Sequence, residues 1–91
     1  MAVRVKIPTI MRAQVGGSAV VEAEGGSVRD LLQDLEGRYP GLTGNIVTEE
    51  GRLHRFVNLY INDEDIRFIG ALDAPVGEGD TVSILPAVAG G

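Results

Sequence analysis

Residues 27–35, SVRDLLQDL, contain the helix on which the predicted fold depends. Four apolar residues in this stretch follow the spacing i, i+3, i+4 and i+7: Val28, Leu31, Leu32 and Leu35. That spacing places them on one face of an amphipathic helix, which is typical of a helix packed on a core. Ser27 comes directly before the helix, where its hydroxyl can accept a hydrogen bond from the amide of Asp30. Residues 39–41, YPG, are the predicted end, because the residue before a proline avoids helical backbone angles.

Two strands are predicted before this helix. Val3, Val5 and Ile7 occupy alternate positions, which is the period of a half-buried strand. Gly16-Gly17 marks a turn, and residues 18–23 contain a second apolar run. The two segments are therefore expected to form an antiparallel hairpin.

The segment after the helix contains a loop and three further strands. Residues 41–55 hold three glycines and are predicted to form a loop with one short helical turn. Residues 56–62, FVNLYIN, alternate as a strand, and an acidic turn at residues 63–65 is predicted to lead into a short strand at residues 66–69. Residues 70–80 form a connecting loop that ends in a tight turn before the last strand, residues 81–85.

This order of elements predicts an α+β fold. One amphipathic helix can cover one face of a sheet, and a crossover through it places the last strand beside the first. The result is a β-grasp (ubiquitin-like) roll, in which a mixed sheet of four to five strands packs on one main helix. Ninety-one residues fit a single domain, so residues 1–85 are expected to form it and residues 86–91 a flexible C-terminal tail.

Composition excludes several classes of function. Thirteen acidic and eight basic residues give a net charge of −5, which argues against a nucleic-acid partner. The chain has no cysteine, and therefore neither a disulfide nor a thiolate metal site. It contains no apolar stretch of membrane-spanning or signal length, so we expect no membrane association and a cytoplasmic location.

The end of the chain is the candidate functional site. Residues 81–91 carry no charged side chain, and Pro86, Ala87, Val88, Ala89, Gly90 and Gly91 follow the last strand. These six residues could reach roughly 20 Å when extended. Because Gly90 and Gly91 lack a Cβ, the last peptide can enter a narrow channel of a partner enzyme. The terminal carboxylate of Gly91 is then the reactive group, and it needs activation because it is ionised at neutral pH. A frayed chain end is the alternative interpretation.

Phe56 and Tyr60 are a second candidate site, for partner binding. Both alternate with the apolar residues of their strand, so they are predicted on the opposite sheet face. They either dock a partner enzyme or belong to the edge of the core. His54 is interpreted as a surface or docking residue rather than a base, and residues 63–65 as a solvated turn rather than a calcium loop. No metal site is predicted.

The chain resembles the ubiquitin-like sulfur-carrier (ThiS/MoaD) family, which includes the thiamin-thiazole sulfur carrier and the small subunit of molybdopterin synthase. The resemblance covers essentially the whole chain. It rests on residues 7–9, IPT, on residues 53–68, LHRFVNLYINDEDIRF, and on residues 77–91, GEGDTVSILPAVAGG. Residues 53–68 and the tail at residues 86–91, PAVAGG, are most similar to the cysteine-biosynthesis branch of the family.

The resemblance implies a carrier rather than an enzyme. A ubiquitin-activating-type enzyme would use ATP to adenylate Gly91, and a sulfur donor would convert it to a thiocarboxylate. The implied acceptor is a sulfur-accepting synthase, either a PLP-dependent cysteine synthase or a thiosugar synthase, with thiamin and molybdopterin as further possible products. A JAMM-type peptidase would release cysteine, and the carrier itself binds no cofactor. The alternative is a ubiquitin-like modifier joined through Gly90-Gly91 to lysines of target proteins.

Overall fold

The computed structural model describes residues 2–86. The described part of the chain contains one α-helix, α1 (Val28–Arg38), and a five-stranded sheet. The strands are β1 (Ala2–Lys6), β2 (Val20–Glu24), β3 (Val57–Ile61), β4 (Glu64–Asp65) and β5 (Thr81–Pro86). Short 3₁₀-helices lie at Thr9–Val15, Thr43–Asn45, Ile66–Phe68 and Ala71–Asp73.

The sheet has the predicted β-grasp topology. Its strand order is β2-β1-β5-β3-β4, so the last strand lies in the centre beside the first. β1 and β5 are parallel, with Val5 opposite Val82, whereas the other neighbouring strands are antiparallel. The predicted α+β roll with a mixed sheet packed on one main helix is therefore confirmed.

α1 begins and ends as the sequence predicts. The hydroxyl of Ser27 accepts a hydrogen bond from the amide of Asp30 at 3.2 Å, and the amide of Tyr39 donates to the carbonyl of Leu35 at 2.7 Å. The predicted apolar face of the helix is the buried one: Val28, Leu31, Leu32 and Leu35. These side chains pack on the inward-facing residues of the sheet and form one continuous core with them.

The loop between α1 and β3 contains one helical turn, Thr43–Asn45, as predicted. Leu42 and Ile46 flank this turn and are fully buried. The carboxylate of Glu36 ties the loop to the helix, because it accepts hydrogen bonds from the amide of Gly41 and from the amide and hydroxyl of Thr43. The hydroxyl bond of Thr43, above all, lowers the pKa of Glu36.

The predicted short strand at residues 66–69 is wrong. The strand is the preceding pair Glu64–Asp65, and Ile66–Phe68 is a 3₁₀-helix. The carboxylate of Asp65 accepts a hydrogen bond from the amide of Arg67 at 2.9 Å, which caps this helix at its start. Ile66 is fully buried while Phe68 is 85% exposed, although the two would share a face in a strand.

β5 runs one residue further than predicted and ends at Pro86, opposite Val57. The amide of Asn62 donates a hydrogen bond to the carbonyl of Thr81 at 2.7 Å, so these two residues form a hydrogen-bonded pair. Along an antiparallel ladder, hydrogen-bonded pairs alternate with non-hydrogen-bonded pairs. Val57 and Pro86 are five pairs further along the ladder, so they form a non-hydrogen-bonded pair. The missing amide hydrogen of Pro86 therefore costs no bond to β3.

Candidate functional site

The structure locates the base of the predicted tail. Pro86 is the last residue it describes, and it is exposed at the end of the central strand. The other predicted tail residues, Ala87, Val88, Ala89, Gly90 and the reactive Gly91, lie outside the described residues. β5, which ends at Pro86, pairs with β1 over residues 81–83 and with β3 over residues 82–86.

An apolar cleft lies beside the end of β5. Its volume is about 570 Å³. Its apolar lining is formed mainly by the following residues: Ile7, Pro8, Ile10, Val20, Leu85 and Pro86. Ile10 is 74% exposed, and Val20 and Leu85 are each 47% exposed, so the cleft presents apolar side chains to solvent at the base of the tail. We call it the tail cleft.

The tail cleft is open because the β1–β5 pairing stops early. Residues 4–6 of β1 pair with residues 81–83 of β5. Beyond them the amide of Ile7 turns to β2 and donates to the carbonyl of Ala19 at 2.8 Å. The next residue, Pro8, has no amide hydrogen to offer the carbonyl of Ile84. The last residues of β5 consequently pair with β3 alone, and the opposite edge faces the cleft.

Phe56 and Tyr60 both lie outside the buried core. Tyr60 is half-buried on the sheet face that points away from Leu59 and Ile61, and it lies opposite Ser83 of β5. Phe56 precedes β3 and is 54% exposed. The guanidinium of Arg55 lies 5.9 Å from the centre of its ring. The predicted docking role of the two rings stays a prediction.

A charged cluster borders Tyr60. Arg67 donates to the carboxylate of Asp65 through Nη2 at 2.8 Å and Nε at 3.1 Å, and it also donates to Oδ1 of Asn58. The side-chain bond from Arg67 is the main cause that lowers the pKa of Asp65. The ionised form of Asp65 is therefore favoured, and the ion pair lies beside Tyr60, which is opposite Asp65 in the sheet.

Sequence reasoning missed the tail cleft. The sequence indicated one part of it, since the alternation in β5 places Leu85 on the sheet face opposite that of Val82 and Ile84. The contribution of Ile10 had no comparable signal, because it lies in the 3₁₀-helix Thr9–Val15, for which no element was predicted.

Two further observations concern residues 2–86. No group of three or more histidine or acidic side chains among them could hold a metal ion. The single α-helix in this part of the chain has 11 residues, and no helix there has the length and apolarity needed to cross a bilayer.

Comparison with known proteins supports the same interpretation of the fold and identifies the family of the chain. The model of the ThiS family matches residues 5–91. Sulfur carrier protein CysO of Mycobacterium tuberculosis is 48% identical over 93 residues, and the match covers 100% of both chains. Small archaeal modifier protein 1 of Haloferax volcanii is 30% identical, with 87% of this chain and 90% of that protein covered.

A solved structure agrees closely with the fold. A chain from the crystal structure of the Amycolatopsis orientalis BexX/CysO complex superimposes with a TM-score of 0.92 and is 54% identical. The superposition covers 99% of this chain and 100% of that one. The family model matches residues 5–91, and the sequence identity with CysO of Mycobacterium tuberculosis is 48% over the full length. The chain therefore belongs to the ThiS family.

Proposed function

We propose that the protein is a sulfur carrier that acts through the carboxylate of Gly91. The observation that carries this proposal is the family match, which runs through residue 91 and so includes the whole uncharged tail. The full-length identity of 48% with CysO, which is named a sulfur carrier, supports the same function. The fold supplies a compact body whose central strand, β5, ends at Pro86.

The chemistry follows from the carboxylate. An oxygen of the Gly91 carboxylate attacks the α-phosphorus of ATP on a ubiquitin-activating-type enzyme, and pyrophosphate leaves. A hydrosulfide ion then attacks the carbonyl carbon of the acyl adenylate, AMP leaves, and loss of the sulfur-bound proton gives a chain that ends in a thiocarboxylate. The carrier is a co-substrate in these steps and binds no cofactor itself. Because activation consumes ATP, we place the protein in the cytoplasm.

The proposed acceptor is a sulfur-accepting synthase. Similarity to CysO favours the synthesis of cysteine by a PLP-dependent synthase, followed by release of cysteine by a JAMM-type peptidase. A thiosugar synthase, which the family resemblance also implies, is the second candidate. The related CysO of Amycolatopsis orientalis was solved in a complex with BexX, which supports a protein partner for the carrier. One carrier can serve both, since the acceptor pocket lies in the partner.

A protein modifier is the alternative function, and it has a specific observation in its favour. Small archaeal modifier protein 1 of Haloferax volcanii is similar over 87% of this chain. The two functions leave different products at Gly91: a thiocarboxylate in a carrier and an isopeptide bond to lysine in a modifier.

Intact-mass measurement of the protein isolated from its own cells distinguishes these functions. We expect a fraction of the protein in which sulfur replaces one oxygen of the terminal carboxylate, because the thiocarboxylate persists until it reacts with the acceptor. Treatment with an alkylating reagent such as iodoacetamide should add one carbamidomethyl group to that fraction, since the chain has no cysteine. Conjugates of higher mass without a thiocarboxylate form would contradict the carrier function and support the modifier.

Tyr60 tests where the activating enzyme docks. We expect Tyr60→Ala to slow adenylation of Gly91 by about tenfold, since large aromatic residues contribute most to interfaces. Its melting temperature should fall by only a few degrees, because Tyr60 is half-buried and outside the core. The measurement is the rate of pyrophosphate release with a saturating level of ATP.

Tyr39→Ala is the matched control. Tyr39 is the only other tyrosine, and it packs against the core at the end of α1. Its loss should lower the melting temperature more than the loss of Tyr60 and leave the adenylation rate of the folded protein unchanged. Equal adenylation rates for Tyr60→Ala and the unaltered protein would show that Tyr60 takes no part in docking.

A further inference from the structure

A second cleft concentrates positive charge. It has a volume of about 350 Å³ and lies between the first turn of α1, the loop before β3 and the 3₁₀-helices after β4. Four of the chain's seven arginines line it: Arg29, Arg52, Arg55 and Arg67. Asp73 is the one acidic residue in its lining. We call it the arginine cleft, and it shares no lining residue with the tail cleft.

Two of the four arginines are compensated by carboxylates. Arg29 lies 3.2 Å from the carboxylate of Asp73, and Arg67 lies 2.8 Å from that of Asp65. Arg52 and Arg55 are exposed, and within residues 2–86 neither has a carboxylate oxygen within 4.0 Å. The cleft therefore keeps two uncompensated positive charges in a chain whose net charge is −5.

The floor of the arginine cleft is apolar. Leu72 is 8% exposed, and Leu53 is partly buried against the core. Both side chains line the cleft together with Ala71. An apolar floor with a cationic rim suits a ligand that carries an apolar group between negative charges, rather than a bare inorganic anion.

The origin of the rim also favours an extended ligand. The four arginines come from α1, from the loop at residues 52–55 and from the helix Ile66–Phe68. Positive charge is thus distributed over three separate segments of the chain. An acidic peptide segment presents carboxylates at several positions and can match such a rim, and repulsion from the acidic remainder of the carrier would fix its position.

We propose that the arginine cleft binds an acidic segment of a partner protein, with an apolar side chain on Leu53 and Leu72 and carboxylates at Arg52 and Arg55. This site goes beyond the proposed function, because it makes a contact that does not involve the tail. It gives a partner a second point of attachment, and its charge pattern selects the orientation in which the carrier approaches.

Titration of the ¹⁵N-labelled full chain with a peptide tests the proposal. The probe is a blocked hexapeptide, Asp-Leu-Glu-Asp-Leu-Glu, at low salt. We expect amide shifts at residues 51–55 and 71–73, and a loss of those shifts with the peptide in which Asn and Gln replace the acids. The Arg52→Gln/Arg55→Gln variant should bind the acidic peptide about tenfold more weakly, from the usual strength of two exposed ion pairs.

Arg4→Gln/Lys6→Gln is the matched control, because it removes the same two charges from the exposed positions of β1. It should bind the peptide with unchanged affinity, and the spectra of both variants should otherwise match that of the parent. The proposal is overturned if residues 51–55 do not shift, if the neutral peptide produces the same shifts, or if the control loses as much affinity. Inorganic phosphate is the last comparison, and full reproduction of the shifts by phosphate would replace the peptide site with a small-anion site.

Discussion

Deletion of Gly91 is expected to reduce thiocarboxylate formation by at least about 100-fold, because a displacement of even 1 Å from a reacting geometry can cost that much in rate. The shortened chain still ends in a glycine carboxylate at Gly90, so the type of reactive group is unchanged. Its position is withdrawn by about 3.5 Å, the length of one extended residue. The measurement is intact mass after incubation with the activating enzyme, ATP and a sulfur source.

The control for this deletion extends the chain instead. One alanine added after Gly91 moves the carboxylate outward by the same distance and places a Cβ on the terminal residue. Both variants leave residues 2–86 unaltered, so both should keep the melting temperature of the parent. Ready conversion of either variant to a thiocarboxylate would show that the partner enzyme does not recognise the position of the Gly91 carboxylate. That outcome would contradict the carrier proposal.

Gly25→Ala is expected to lower the free energy of unfolding by about 3 kcal/mol, the upper range for overpacking a rigid site. A Cβ at residue 25 would lie 2.6 Å from the backbone nitrogen of Leu31 and 2.9 Å from its Cα. Those atoms belong to α1, whose Leu31 side chain is fully buried, so the helix cannot move away without disturbing the core. β2 and α1 approach each other closely only because residue 25 is glycine.

The neighbouring glycine provides the control. A Cβ at Gly26 meets no atom within 4 Å, and its backbone has no left-handed conformation. Gly26→Ala should therefore be neutral or slightly stabilising. Urea denaturation of the two variants gives the comparison, and Gly25→Ala should also melt about 15 °C lower, from the usual relation between stability and melting temperature in small domains. Equal stability of the two variants would show that the approach of β2 to α1 is not as close as described.

Local patterns were sufficient to predict the helix and most of the sheet. The i, i+3, i+4 and i+7 spacing and the Ser27 cap define α1, and strict alternation defines the inward face of β3. The last strand could be placed beside the first because only one helix was available to cover the sheet. The uncharged composition of residues 81–91 was the basis for proposing a reactive chain end, and that role stays a prediction.

Features that depend on tertiary contacts were not predictable. The helix Thr9–Val15 has no side-chain cap and is held by burial of Met11 and Val15. The tail cleft brings Pro8 and Ile84 together in one lining, and these residues are distant in sequence. The arginine cleft joins residues from three segments of the chain. It is positively charged although the net charge of the chain is negative, so the composition gave no indication of it.

The central position of β5 has a mechanical consequence. Under the proposed function, a partner that draws the tail into a channel would pull on Pro86, the last residue of β5. Hydrogen bonds to β1 and β3 run across the direction of β5, so a load along the strand is shared among many bonds in shear rather than opening them one at a time. The domain can therefore serve as an anchor that resists unravelling under traction.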